Sequence, residues 1–180
     1  CPWCYIGSTV LEKLEDSHGI TVNWHAFELR PKNAPPITPD YRERINSMKP
    51  RMIAIAKENY GITINQGKFG IDSRPALVGM AYAKTQGKGN AYHKIVFQAY
   101  WEEAQNIEDL NTLANLADKS GLDREAFLAA LNDPDYNNLV DADVERAHSY
   151  QIHSVPSAII EEKFMLSGAQ PYDEMVRIIN

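Results

Sequence analysis

The first 27 residues of the chain carry two different hydrophobic patterns. Apolar residues first recur three or four positions apart, which is the spacing of one face of a helix. These residues are Ile6, Val10, Leu11 and Leu14. Gly19 supplies a helix stop, so the pattern predicts a helix over residues 5–18. Apolar and polar residues then alternate over residues 20–27, and this alternation predicts a strand.

The long middle of the chain reads as helices separated by capping residues. Four prolines mark an extended linker before it, at positions 31, 35, 36 and 39. Helices are predicted to begin near Pro50, Ser73, Asn90, Asp109 and Asp123. Glycines at positions 61, 87 and 121 predict helix ends. The last helix of this block is predicted to carry Leu139, Val140, Val144 and Ala147.

After Val155–Pro156 the pattern changes to short strands. Residues 158–160 and 164–166 are apolar runs separated by three charged residues, which is typical of a hairpin. Residues 172–179 then read as a closing helix. The two flanking parts cannot each build a core alone, so we predict an α/β domain that is split by a helical insertion.

The composition is that of an ordinary globular protein. Of 180 residues, 44% are hydrophobic and 23% are charged, and no apolar run approaches the roughly 20 residues needed to cross a bilayer. Membrane spanning is therefore not expected. The net charge is −6 and the lysines and arginines are scattered, so a nucleic acid is not an expected partner either. The chain begins at Cys1 rather than Met, so we expect its native start to lie upstream. We expect a cytoplasmic location.

The two cysteines of the chain, Cys1 and Cys4, are separated by two residues at the predicted start of the first helix. A helix N-terminus offers unpaired N–H groups and a positive dipole end, which stabilise a thiolate. In such motifs the cysteine pKa falls from ~8.5 to roughly 3.5–7. Pro2 fits because proline tolerates the first turn of a helix. The leading interpretation is therefore a redox pair.

Two other interpretations of the cysteine pair stay open. Half of a zinc site would use two cysteines at this spacing, but zinc needs four ligands. The five histidines of the chain show no spacing that would complete such a site, so no metal is predicted. A chemically idle pair is the second alternative.

Five stretches of the sequence resemble the DsbA-like oxidoreductases, and among these the FrnE-like subgroup. They are Cys1-Pro2-Trp3-Cys4-Tyr5-Ile6-Gly7, Trp24-His25-Ala26-Phe27-Glu28-Leu29, Ala99-Tyr100-Trp101, Ser154-Val155-Pro156-Ser157 and Ser167-Gly168-Ala169-Gln170-Pro171. The resemblance covers essentially the whole chain. It implies an α/β, thioredoxin-like fold interrupted by a large all-helical insertion. The thioredoxin-like domain is then expected at 1–39 and 151–180, and the insertion at 40–150.

The resemblance also implies roles for the site residues. Cys1 is the implied nucleophile and Cys4 the resolving thiol, in a dithiol–disulfide exchange that needs no dissociable cofactor. Pro156 is the implied cis-proline facing them, which leaves the Val155 backbone free to pair with a substrate strand. An ordinary trans proline at the start of a strand is the alternative. The expected partners are protein or low-molecular-weight thiol and disulfide substrates, and the oligomeric state stays open.

Three features depart from the family pattern. The strand that normally leads into the redox motif is absent, so we expect further residues upstream of Cys1. Trp3 occupies a position that is often histidine in periplasmic oxidants, and because indole carries no positive charge, strong oxidising power does not follow. Gln151 and Ser154 lie where relatives tend to have glycine.

Several side chains have both a structural and a functional interpretation. Trp3 and Tyr5 either form an apolar lip that receives substrate or pack at the domain boundary. The residues expected to be structural or solvated are His25, His148, His153, Glu102 and Glu103. A proton relay through His148 or His153 is the functional alternative.

Two other functions compete with disulfide exchange. A glutathione-dependent isomerase or kappa-type transferase on the same scaffold activates one bound glutathione thiol and does not need Cys4. A non-catalytic holdase that binds exposed apolar segments needs neither cysteine.

Overall fold

The computed structural model describes residues 1–179, which form eight helices and a two-stranded sheet. The helices before the sheet are α1 (Pro2–His18), α2 (Pro39–Tyr60), α3 (Arg74–Thr85), α4 (Gly89–Trp101), α5 (Leu110–Lys119), α6 (Arg124–Ala130) and α7 (Pro134–Ser149). The strands β1 (Ser157–Ile160) and β2 (Phe164–Ser167) follow, and α8 (Tyr172–Ile179) closes the order. Asn180, the last residue of the predicted thioredoxin-like domain, lies outside the described residues.

Local capping by side chains explains most helix starts. The side chains of Asp109 and Asp123 accept hydrogen bonds from backbone N–H groups in the first turns of α5 and α6, as predicted. Gly19 has a φ of 65° and ends α1, and this predicted helix stop is also confirmed. The predicted helices over α3 and α7 are confirmed as well.

One predicted helix start, at Pro50, and one predicted helix cap, at Asn90, are wrong. The side chain of Thr38 accepts a hydrogen bond from the N–H of Tyr41, so α2 begins at Pro39 and the predicted linker is shorter. Pro50 therefore lies inside α2, where its missing N–H leaves one helical hydrogen bond unmade. Asn90 does not cap α4, which begins one residue earlier; its side chain instead donates to Glu15 Oε1 at 3.4 Å.

The predicted strand over residues 20–27 does not pair with β1 or β2, so that prediction is wrong for the described sheet. Its backbone groups find side-chain partners on the helices instead. The N–H groups of Val22 and Ala26 donate to Glu15 and Asp143 at 3.0 and 2.8 Å. Burial still alternates along the segment, as the sequence pattern predicts, because one side faces the helices.

The hairpin of β1 and β2 is confirmed. The strands are antiparallel, with Ser157 opposite Ser167 and Ile160 opposite Phe164. Glu161 and Glu162 form the turn with φ values of 49° and 57°, the backbone that a tight hairpin turn requires.

Two hydrophobic clusters share helix α1. Its first turns contribute Tyr5 and Ile6 to a large cluster formed mainly by α3, α4, α5 and α6. Further along, Val10 and Leu14 pack with Met175 of α8 in a smaller cluster. Because α1 is buried against both clusters, its N-terminal turn is held between the helical block and the C-terminal segment.

Candidate functional site

Cys1 lies at the N-terminal end of α1 and caps this helix. Its Sγ accepts a hydrogen bond from the N–H of Cys4 at 3.3 Å, and both cysteines are free thiols. The sulfur therefore faces the unpaired N–H groups and the positive end of the helix dipole. This arrangement favours the thiolate form of Cys1, since negative charge is stabilised at a helix N-terminus.

The loop before β1 meets Cys1 from the opposite end of the chain. In its protonated form the Cys1 thiol donates a hydrogen bond to the carbonyl oxygen of Val155 at 3.4 Å, although the two residues are 154 positions apart. The Val155–Pro156 peptide bond is cis. A Cβ placed on Gly7 would lie 3.7 Å from Pro156 Cγ, an ordinary contact distance, so this loop packs directly against α1. The structure thus brings together Cys1, Val155 and Pro156.

Cys4 has a different environment from Cys1. It lies within the first turn of α1, and burial raises the pKa of its thiol to about 11. Pro2 is the first helical residue, as predicted for a proline in this motif. The second thiol is therefore held protonated at neutral pH, next to a sulfur that caps the helix.

The two aromatic residues of the motif do not form a lip together. Trp3 is partly exposed and packs against the large cluster, whereas Tyr5 is buried with only 6% of its surface exposed. Tyr5 packs edge to face on Phe97, and its hydroxyl donates to Glu102 Oε1 at 2.5 Å. The packing interpretation is correct for Tyr5, which leaves Trp3 as the aromatic candidate for substrate contact.

The contact that Glu102 makes could not be predicted from the sequence. It was expected on a solvated helix face, but it is partly buried directly after the last residue of α4 and binds Tyr5. The two residues are 97 positions apart, and no local spacing or motif links them. Glu103 is exposed, as expected.

The histidines near the site stay at the surface. His148 and His153 are exposed, and neither makes a hydrogen bond to Cys1 or Cys4 within residues 1–179. His25 is exposed and its Nδ1 lies 2.6 Å from Asp143, a structural contact as expected. Among the described residues, no three His, Cys, Asp or Glu side chains come together as a metal-binding group. No described helix has the length and apolar character needed to cross a bilayer.

Comparison with known proteins gives one family match over the whole chain. A family profile described as a DSBA-like thioredoxin domain matches residues 1–180. YwbO of Bacillus subtilis (strain 168) is 32% identical over 190 residues, covering 100% of this chain and 91% of YwbO. The 2-hydroxychromene-2-carboxylate isomerase of Pseudomonas putida is 27% identical over 183 residues, covering 93% of this chain and 88% of the isomerase.

Solved structures give the same fold. A probable DsbA oxidoreductase from Streptomyces coelicolor superposes with a TM-score of 0.83 and 25% identity, covering 99% of this chain and 84% of that one. The cytosolic disulfide reductase DsbM from Pseudomonas aeruginosa, solved with GSH, superposes with a TM-score of 0.75 and 21% identity. That superposition covers 99% of this chain and 93% of DsbM.

Proposed function

The chain belongs to the family of DSBA-like thioredoxin domains, and we propose that it is a thiol–disulfide oxidoreductase whose redox pair is Cys1 and Cys4. The predicted α/β, thioredoxin-like fold interrupted by a helical insertion is confirmed by this membership and by the structural similarity. The family includes oxidoreductases and isomerases, so the activity itself is part of the proposal.

The proposed reaction proceeds in two exchanges. The Cys1 thiolate attacks one sulfur of a substrate disulfide, forms a mixed disulfide and releases the other substrate sulfur as a thiolate. The Cys4 thiol then loses its proton to solvent and attacks the mixed disulfide at Cys1. This releases the second substrate thiolate and leaves a Cys1–Cys4 disulfide. Two electrons pass from the pair to the substrate. Two molecules of a thiol such as glutathione then return the pair to the dithiol and leave joined as one oxidised disulfide.

One observation carries the proposal. The Cys1 sulfur caps α1, contacts the backbone N–H of Cys4 at 3.3 Å and lies 3.4 Å from the Val155 carbonyl oxygen. A substrate strand that pairs with the backbone at Val155 would bring its sulfur next to the attacking atom. Val155, Pro156 and Trp3 are accordingly the proposed substrate-binding residues, and Pro2 supports the helix start.

The test is a redox titration combined with trapping of the intermediate. The chain is equilibrated in mixtures of reduced and oxidised glutathione, and the Cys1–Cys4 disulfide is quantified by mass spectrometry after alkylation. We expect a reversible two-electron transition, and we expect Cys4→Ser to accumulate a mixed disulfide at Cys1. Cys1→Ser is the matched control and should trap nothing. Failure of the unaltered chain to form the intramolecular disulfide, together with no reduction of insulin, would overturn the proposal.

The identity to a Pseudomonas putida isomerase favours a second candidate function. In that case the chain is a glutathione-dependent isomerase or transferase in which a single activated thiol does the chemistry. The Cys4→Ala variant separates the candidates, because isomerase turnover would survive this change whereas disulfide exchange would not. We favour the exchange reaction because two cysteines share one helix turn.

Four finer predictions belong to the same proposal. We predict the thioredoxin-like domain at 1–39 and 151–180, with the helical insertion at 40–150. The FrnE-like subgroup is our prediction for the position within the family. Protein or low-molecular-weight thiol substrates and a cytoplasmic location are the remaining predictions, and a relative of the same fold is described as a cytosolic disulfide reductase.

A further inference from the structure

A buried tyrosine connects the first turn of α1, which carries Cys1 and Cys4 (the cysteine turn), to the C-terminal end of α4. Tyr5 directly follows Cys4, and its ring packs on Phe97 of α4 with ring centroids 5.9 Å apart. Its hydroxyl reaches beyond that ring and donates to Glu102 Oε1 at 2.5 Å. Burial and the neighbouring carboxylate raise the pKa of Tyr5, so the hydroxyl stays a donor throughout the physiological pH range.

Glu102 occupies a position that local helix energetics disfavour. It follows the last residue of α4, where exposed carbonyl groups create a partial negative charge and a carboxylate is repelled. The carboxylate is also partly buried, and its hydrogen bond from Tyr5 is what compensates for lost hydration. Two residues later Ala104 has a φ of 54°, a left-handed backbone that favours glycine. The charge at this helix end therefore gives no reason for a glutamate at position 102.

We propose that Glu102 is a positioning residue that acts through Tyr5 to hold the first turn of α1. This inference rests on the proposed function. In it, the Tyr5–Glu102 hydrogen bond keeps Cys4 close enough to Cys1 for a disulfide to form. The backbone of Tyr5 belongs to the same turn, since its N–H donates to the Cys1 carbonyl oxygen at 3.3 Å. Anchoring the ring therefore anchors the turn that presents both sulfurs.

The consequence is a change in disulfide stability. An intramolecular disulfide is favoured when its two sulfurs are already held close together, because less freedom is then lost on closure. A charge-assisted hydrogen bond is among the stronger single links in a protein. We expect its loss to weaken the Cys1–Cys4 disulfide roughly tenfold relative to glutathione, which is about 30 mV for this two-electron couple.

The experiment measures the disulfide equilibrium of the full chain in glutathione redox mixtures. Tyr5→Phe removes the hydroxyl and keeps the ring, and Glu102→Leu removes the acceptor. Glu102→Gln keeps a neutral acceptor oxygen and should shift the equilibrium by only about threefold, because a neutral hydrogen bond is roughly half as strong as a charge-assisted one. The matched control is Tyr100→Phe, because Tyr100 is also buried, with 7% exposed, and donates its hydroxyl to the Lys68 carbonyl oxygen at 2.8 Å.

The expected result is a tenfold shift for Tyr5→Phe and Glu102→Leu, no further shift when the two are combined, and none for Tyr100→Phe. The inference is overturned if Tyr100→Phe shifts the equilibrium as much as Tyr5→Phe, since a general loss of stability would then explain both. It is also overturned if Glu102→Gln behaves like Glu102→Leu. Failure of the proposed function looks different, because the unaltered chain would then form no Cys1–Cys4 disulfide at all.

Discussion

Two glycines in helix interiors predict opposite responses to the same substitution. A Cβ on Gly79 of α3 would lie 2.5 Å from Tyr92 Oη and 2.7 Å from two ring carbons of Phe127. Both rings are fully buried, at 1% and 0% exposed, and cannot move aside into solvent. A Cβ on Gly7 of α1 would instead lie at ordinary contact distances, 3.7 Å from Ala169 Cβ and Pro156 Cγ.

The magnitudes follow from two opposing effects. Alanine in place of glycine in a helix stabilises the folded chain by about 0.5–1 kcal/mol at both sites. At Gly79 the added methyl group overpacks a dense core, which costs typically 1–3 kcal/mol. We therefore expect Gly79→Ala to destabilise the protein by about 1–2 kcal/mol and Gly7→Ala to stabilise it by about 0.5–1 kcal/mol.

The assay is equilibrium unfolding in urea under reducing conditions, monitored by circular dichroism. The unfolding free energies of the variants are compared when the dependence on urea concentration (the m-value) is the same. The two variants are controls for each other, because the change in the unfolded chain is the same. Equal-sign shifts of the unfolding free energy would refute the reasoning. A stabilising Gly79→Ala would mean that the close approach of α3 to Tyr92 and Phe127 is absent, and a destabilising Gly7→Ala would mean that the Pro156 loop packs more tightly on α1.

Three further predictions concern other sites. Burial raises the pKa of Cys4 to about 11, so release of glutathione from a Cys1 mixed disulfide should accelerate roughly tenfold per pH unit between about pH 6 and 9, as measured by rapid-quench mass spectrometry. The ring of His93 stacks on the ring of Trp24, with the ring centroids 3.9 Å apart, and burial lowers the pKa of His93 to about 4. The unfolded chain therefore binds more protons between about pH 4 and 6.5, and stability should fall by roughly 3 kcal/mol as the pH drops through this range. His93→Phe should flatten that fall in urea titrations. Gln151→Gly should raise stability by about 0.5–1 kcal/mol in the same assay, because Gln151 has a φ of 57° at the end of α7.

Each of these has a clear contrary outcome. A release rate that does not change with pH would show that the Cys4 thiol ionises well below pH 6. An unchanged acid dependence in His93→Phe would assign that dependence to other groups. A destabilising Gln151→Gly would mean that the glutamine side chain contributes more than the backbone conformation costs.

Elements whose signals lie within one or two turns could be predicted from the sequence. Asp109 and Asp123 accept hydrogen bonds from N–H groups three residues ahead, so each cap is complete within its own short segment. The Cys1–Cys4 spacing and the α1 start belong to the same class. The helix start predicted at Pro50 was wrong because the helix is already capped by Thr38, which precedes it in the chain.

The amino-acid sequence by itself determined the cysteine turn, the hairpin and most helix ends, because hydrogen bonds among near neighbours satisfy them. The tertiary structure alone decided that Tyr5 binds Glu102 and that the segment over 20–27 pairs with helix side chains. It also brings Val155 to Cys1, a contact that only the family resemblance implied beforehand. Those contacts join residues far apart along the chain. They form only when the buried faces of several helices have found one common packing, and that packing is a property of all the faces together rather than of any single segment.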